Sequence, residues 1–331
     1  MKIQFSDTHS FERTAFDAAN SKYSFEIEYL DFRFTSATAP AIAPSDVVCS
    51  FVSDKFDRKC LEIMAAKGVK LLALRSAGFN HVDVAAAREF GITVCRVPSY
   101  SPHSVAEFAV GLMLSLNRKI HRAYSRVREL NFSLDGFVGF DLNGRTIGIL
   151  GAGKIGRILA GIMAAFGCQV LIYDTMPESS LVQNSKIKYA TLEEVIGTSD
   201  IISLHVPLNP GTFHMIDSKA IEQMKTGVLL INTGRGALIE SIALIDGLKS
   251  GKIGGAALDV YEEEEGVFFH DLSNSFLQDD TLARLISFPN VLITSHQAFL
   301  TSDSLRNIAE TTLESIHSYR STGRINPVNV V

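Results

Sequence analysis

Residues 147–156 read Ile-Gly-Ile-Leu-Gly-Ala-Gly-Lys-Ile-Gly, and the fold follows from what surrounds them. The apolar run Ile147–Leu150 predicts a buried strand, and Arg157 to Ala165 predicts a helix. A second apolar run, Val170–Tyr173, ends in Asp174. Strand, glycine turn, helix, strand and acid in that order form a dinucleotide fingerprint, whereas a lone G-x-G-x-x-G is often a plain turn. Gly151 suits the tight turn, Gly153 lets a pyrophosphate approach, and Gly156 lets the helix lie close to the strand. The helix N-terminus then aims its N–H groups at the phosphates. Asp174 is placed to accept from the adenosine ribose hydroxyls. A carboxylate there repels a 2′-phosphate, and Thr175 and Met176 bring no cation, so NAD is expected over NADP.

Outward from this unit, 331 residues are long for a single core, and two domains are expected. Hydrophobic content of 46%, charged content of 20% and a net charge of −5 are those of an ordinary globular chain, with no reason to expect nucleic acid as a partner. The basic stretch Arg118 to Arg128 is read as a solvated or subunit-facing helix surface. Cys49, Cys60, Cys95 and Cys168 lie far apart within or beside apolar runs. That is the usage of a reduced, cytoplasmic protein with no zinc or other metal site. The N-terminus reads as a strand rather than a signal peptide, and no apolar run is long enough to span a bilayer, so no membrane association is expected.

Before the fingerprint, Lys2–Phe5, Val47–Val52, Lys70–Leu74 and Thr93–Arg96 read as strands. Phe11–Ala19, Asp57–Lys67 and Val82–Phe90 read as the helices between them. The alternation argues for a parallel sheet with crossover helices and no glycine-rich loop of its own. Pro98 and Pro102 interrupt the pattern before an apolar helix, Val105–Leu116, and a mixed segment to Phe140. Beyond the fingerprint, Asp200–His205, Val228–Asn232, Gly255–Val260 and Val291–Thr294 read as strands, and Ser304 to Tyr319 as a helix. The acidic run Glu262–Glu265 reads as a charge block of the kind that is usually solvated surface.

Strand ends are where ligands bind in open α/β sheets. Arg235 follows the strand Val228–Ile231 on a turn between Gly234 and Gly236, and its guanidinium matches a carboxylate. The acidic run follows Asp259-Val260-Tyr261. His296 follows Val291–Ser295, where a packed core histidine is the equal alternative.

These residues carry a resemblance. Arg75 to Asp83 read RSAGFNHVD, and Val97 to Glu107 read VPSYSPHSVAE. GRTIGILGAGKIG begins at Gly144, HVPLNPGT at His205, INTGRGALI at Ile231, GAALDVYEEE at Gly255 and TSHQAFLT at Thr294. The chain resembles the D-2-hydroxyacid dehydrogenases over nearly its whole length, most closely the bacterial fermentative D-lactate dehydrogenases. The resemblance implies two doubly wound parallel-sheet domains, Rossmann-like and flavodoxin-like, with the active site in the cleft between them. A discontinuous substrate domain would comprise 1–100 plus 300–331, and the NAD domain 101–299, with hinges near Ser101 and Leu300.

The resemblance also implies a catalytic Arg235, Glu264 and His296. Glu264 lies at the family's spacing from Asp259, and that spacing is the only arbiter among Glu262, Glu263, Glu264 and Glu265. In the implied scheme His296 donates a proton to the carbonyl oxygen of a 2-keto acid, Glu264 orients the imidazole, and Arg235 binds the substrate carboxylate. Ala77 and Gly78 would offer backbone N–H groups to the same carboxylate. Tyr100 and Phe299 would face the substrate, Phe299 suiting a methyl group. Asp259 would hold the nicotinamide carboxamide, Lys154 and Ile155 would contact the pyrophosphate, and Val206, Pro207, Thr233 and Gly234 would line the cofactor cleft. Thr212 stands where relatives often carry asparagine. His205 is read as cleft wall rather than a second base. The expected reaction is NAD-dependent reduction of pyruvate to D-lactate, in a homo-oligomer (dimer or tetramer) built through the NAD domain. The alternatives are a dehydrogenase for another D-2-hydroxy acid and a non-enzymatic NAD-sensing partner protein.

Overall fold

Short apolar runs in the N-terminal part of the computed structural model, which describes all residues from Met1 to Val331, become a buried parallel sheet. In chain order the elements are β1 (Lys2–Phe5), α1 (Ser10–Asn20), β2 (Glu26–Tyr29), β3 (Val47–Ser50), α2 (Arg58–Ala66), β4 (Leu71–Leu74), α3 (Val84–Glu89) and β5 (Thr93–Cys95). The sheet order is β2-β1-β3-β4-β5. Every residue of β3 and β4 is buried, as expected of parallel strands covered on both faces. Asp57 and Asp83 fix the starts of α2 and α3, their carboxylates accepting from the N–H groups of Cys60 and Ala86. The edge strand β2, of sequence Glu-Ile-Glu-Tyr, has no long apolar run and is absent from the sequence reading.

At the carboxyl end of this sheet lies a buried ion pair. Arg75 Nε donates to Glu12 Oε1 at 2.9 Å, and both side chains are almost wholly excluded from solvent. The guanidinium also donates to the carbonyls of Cys49 and Ser6 and lies over the Phe5 ring at 3.7 Å. One side chain thus ties together the ends of β1, β3 and β4, immediately before the Ser76–Phe79 turn. Breaking such a pair from one side leaves a buried charge uncompensated, which typically costs about 3–5 kcal/mol.

The second unit begins with α4 (Pro102–Arg118) and α5 (Ile120–Arg128). It continues β6 (Thr146–Leu150), α6 (Lys154–Ala165), β7 (Gln169–Tyr173), β8 (Ile187–Tyr189), α7 (Leu192–Thr198), β9 (Ile201–Leu204) and α8 (Ser218–Gln223). It ends with β10 (Val228–Asn232), α9 (Ser241–Ser250), β11 (Ile253–Leu258), α10 (Asp280–Ser287) and β12 (Val291–Ile293). Its strands are all parallel, in the order β12-β11-β10-β9-β6-β7-β8, which reverses direction between β6 and β9. Such a reversal opens a crevice at the carboxyl ends of the two strands. Pro102 does not interrupt structure. It opens α4, where its missing N–H costs nothing. The mixed segment contains α5, set off from α4 by Lys119 in the left-handed region. The last helix, α11 (Ser302–Thr322), packs on α1 and β4 of the first unit. Clustering of contacts divides the chain into Met1–Ser101 with Leu300–Val331, and Pro102–Phe299.

Candidate active site

The glycine loop sits at the β6–β9 reversal. Gly151 has φ +101°, and a side chain there would meet the His205 backbone at 2.7 Å, so the loops after β6 and β9 are pressed together. At Gly156 a Cβ would lie 1.9 Å from the Gly151 carbonyl oxygen, so α6 can approach β6 this closely only without a side chain. Gly153 is the opposite case. It caps α6 in an extended conformation with no side-chain cap, and nothing lies within 4 Å of where its Cβ would be. Gly153 and Lys154 are exposed, so the start of α6 is open to solvent, as pyrophosphate binding at a helix N-terminus requires.

Asp174, just past β7, accepts from the N–H groups of Ala152 at 2.6 Å and Met176 at 2.8 Å, one to each oxygen. A carboxylate has about four lone-pair sites, so capacity for ribose hydroxyls remains. Its neighbour Met176 is exposed and adds no cation. Thr233 Oγ1 is buried with no protein partner, an orphaned polar atom that a bound cofactor would satisfy. These features fit NAD. Thr212 does not reach outward. Its hydroxyl donates to the Pro207 carbonyl at 2.6 Å and accepts from the Asn209 N–H at 2.9 Å, closing its own turn. His205 lies 2.9 Å from Ser203 Oγ, and burial pushes its imidazole down to about 4. It is neutral at neutral pH and poorly suited to act as a base there.

Arg235, the acidic loop and His296 follow three adjacent strands, β10, β11 and β12. The register carries through, since the Asp259 N–H donates to the Asn232 carbonyl and the Thr294 N–H to the Leu258 carbonyl. Buried Asn232 shapes the arginine turn, its side chain donating to the Arg235 carbonyl and accepting from the Gly234 N–H. Arg235 Nη1 donates to the Gly234 carbonyl at 2.8 Å, leaving the rest of the guanidinium fork for a ligand. At Gly236 a Cβ would lie 2.0 Å from the Tyr261 carbonyl carbon, so the turn is packed directly on the start of the acidic loop.

His296 has φ +53°, a conformation uncommon outside glycine. Asp259 holds it there. The His296 N–H donates to the Asp259 carbonyl at 2.7 Å, while the Asp259 carboxylate accepts from the N–H groups of Gln297 and Ala298 and from Thr294 Oγ1. Asp259 is 0% exposed, and burial raises its pKa despite these donors. Its carboxylate faces the histidine loop, and these three donors leave about one lone-pair site for a further partner.

His296 Nδ1 lies 3.0 Å from Glu264 Oε1, and Glu264 Oε2 accepts from the Tyr261 N–H at 3.2 Å. Of the acidic run, Glu264 is thus the residue paired with this histidine, and Glu263 is exposed. With Nδ1 engaged, Nε2 is the ring nitrogen left to a substrate oxygen. Glu262 is not simple surface either. It is half-buried, bonded to His214 and to Ser241. His214 and its pairing with Glu262 have no signal in the sequence, because no local pattern marks a contact between residues so far apart in the chain.

In the other unit, Ser76 Oγ donates to the Gly78 carbonyl at 2.7 Å, and Arg96 Nη1 to the Ala77 carbonyl at 2.9 Å. The N–H groups of Ala77 and Gly78 make no hydrogen bond within the chain and are free to meet an anion. The Tyr100 carbonyl accepts from Asn307, fixing that residue's backbone. Phe299 is half-buried at the end of the second unit.

Residues 110–298, more than half the chain, match the family described as D-isomer specific 2-hydroxyacid dehydrogenase, NAD binding domain. A 2-hydroxyacid dehydrogenase homolog of Haemophilus influenzae is 48% identical over 321 residues, 97% of each chain. The D-lactate dehydrogenase of Escherichia coli is 45% identical over 316 residues, 96% of each. The apo-structure of D-lactate dehydrogenase from Escherichia coli superposes with a TM-score of 0.91 at 42% identity, covering 100% of both chains.

Proposed function

The chain belongs to the D-isomer-specific 2-hydroxyacid dehydrogenases, and from that premise we propose that it reduces pyruvate to D-lactate with NADH. The observation that carries this reading is the His296–Glu264 pair at 3.0 Å, on the two strand ends next to the one that carries Arg235. The cofactor, when bound, supplies a hydride to C2 of the keto acid. Arg235 pairs with the substrate carboxylate and polarises the carbonyl. His296 donates its Nε2 proton to the carbonyl oxygen as that oxygen gains negative charge. Glu264 holds the ring through Nδ1 and stabilises the imidazolium before the proton leaves. In lactate oxidation the same nitrogen takes the proton back. The match to the Escherichia coli D-lactate dehydrogenase supports pyruvate among the 2-keto acids. A screen of pyruvate, 2-ketobutyrate, phenylpyruvate, hydroxypyruvate and glyoxylate with NADH tests the choice. The highest kcat/KM should be for pyruvate. A higher value for another acid would transfer the assignment to that substrate, and no turnover would point to a non-enzymatic NAD-binding protein.

The same reading includes a homo-oligomer built through the NAD unit. Tyr124, Val127, Leu130, Phe132, Leu134 and Val138 are exposed in and just after α5, a clustering of apolar side chains that soluble monomers rarely leave uncovered. It also includes a cytoplasmic location, which the four buried free cysteines suit. No helix is long and apolar enough to cross a membrane.

A further inference from the structure

Glu262 has more partners than the proposed reaction uses. One carboxylate oxygen accepts from His214 Nε2, and the other from Ser241 Oγ at 2.8 Å and the Ser241 N–H at 3.2 Å, at the start of α9. Burial pushes its pKa up, but the bonds from His214 and Ser241 outweigh this and hold it below the usual carboxylate range. His214 is itself constrained. It has φ +50°, its ring stacks on Phe213 at 3.9 Å, and its N–H donates to the Ala237 carbonyl at 2.9 Å. From there the 214–216 segment runs beside 237–240, with Ile216 N–H donating to Leu238 and Glu240 N–H to Ile216.

The arginine turn is therefore held on two sides. Residues 237–240 are paired to the His214 segment, and Gly236 is pressed against the Tyr261–Glu262 peptide. The Glu262 side chain closes the circuit by bonding back to His214. Two residues on, Glu264 makes its contact with His296. We infer that His214 and Glu262 are a positioning pair that locks the Arg235 turn to the loop carrying Glu264, so that the carboxylate-binding and proton-donating groups are set by one joint. The inference rests on the functional reading above.

The test compares Glu262→Ala, which removes all three bonds, with Glu262→Gln, which keeps the volume and an acceptor for Ser241. His214→Asn is the independent variant, since asparagine tolerates the left-handed backbone. Exposed Glu263→Gln is the control. For each, KM and kcat with pyruvate, NADH affinity, and affinity of the NADH complex for oxamate are measured beside Tm. Glu262→Ala and His214→Asn should raise the pyruvate KM and weaken oxamate binding by about fivefold or more, with NADH affinity changed by less than about twofold. Glu262→Gln should recover part of the loss, and the Glu262→Ala/His214→Asn double variant should be little worse than the poorer single. Variants that lower Tm yet leave pyruvate KM and oxamate affinity unchanged would overturn the inference, as would equal losses of NADH and oxamate binding. If Glu262→Ala does not fold, His214→Asn alone decides. A wild-type protein that binds NADH but neither turns over a 2-keto acid nor binds oxamate would overturn both the functional reading and this inference.

Discussion

On the proposed reading, Asp174 combines two tasks in one carboxylate. It accepts from the Ala152 N–H within the glycine loop, and its remaining lone pairs are open to the ribose. Asp174→Ala should therefore weaken NADH binding through both losses while relieving repulsion of a 2′-phosphate, so the preference for NADH over NADPH narrows. Equal kcat/KM with the two cofactors in the unmodified protein would refute the cofactor role. Arg235 offers a planar fork that lysine cannot reproduce. Arg235→Lys should cost about 2 kcal/mol or more of transition-state stabilisation, a hydrogen bond to a charged group contributing roughly 1.5–3 kcal/mol. A fall in kcat/KM for pyruvate of less than about threefold would remove Arg235 as the carboxylate anchor. The proton donor gives a pH signature. If His296 is the proton donor as proposed, pyruvate reduction needs it protonated, so kcat/KM should decline as pH rises, and lactate oxidation should show the reverse. Glu264→Gln removes the anion that stabilises the imidazolium and should move the falling limb to lower pH. Glu263→Gln should leave the limb in place. So should His205→Gln, because burial pushes the His205 imidazole down to about 4 and keeps it uncharged at neutral pH. A limb that moved with Glu263 rather than Glu264 would reassign the partner of His296.

Among elements, the strand–turn–helix of the glycine loop separates fold from binding within a few residues. Gly156→Ala places a Cβ against the Gly151 carbonyl and must push α6 off β6. It should lower the Tm of the protein and weaken NADH binding together, overpacking of this kind costing about 1–3 kcal/mol. Gly153→Ala meets open space, and its φ of −62° suits alanine. It should leave Tm nearly unchanged while weakening NADH binding, because the methyl group enters the path of the pyrophosphate. Thermal melts with and without NADH distinguish the two. A Gly153→Ala protein with normal NADH affinity would mean that the phosphates do not pass over this position.

For the whole molecule, the exposed apolar side chains in and after α5 are the main feature a lone chain leaves unexplained. Leu130, Leu134 and Val138 are 78%, 83% and 87% exposed. If this segment is covered by a second copy, sedimentation should show an oligomer, and the Leu130→Glu/Leu134→Glu double variant should sediment as a smaller species. A wild-type protein that sediments as a monomer at micromolar concentration would reject the assembly. A substitution in this segment should leave Tm of the dissociated chain nearly unchanged, since exposed side chains contribute little to the core.

The sequence by itself determined the parallel α/β architecture, because buried strands are short apolar runs and the glycine fingerprint is a local steric requirement at consecutive residues. It also singled out Arg235 and His296, because each directly follows a strand whose end is a binding edge. The short or edge elements β2, β8, α7 and α8 were not legible, since three to seven residues give too little period to read. The acidic run shows most clearly what only tertiary structure could decide. Glu262, Glu263, Glu264 and Glu265 are chemically identical and adjacent. The backbone of one loop turns Glu262 to His214, Glu264 to His296 and Glu263 to solvent. The contacts of Asp259 are likewise a tertiary matter. Its burial behind the histidine loop, rather than its place in a motif, determines which groups its carboxylate meets.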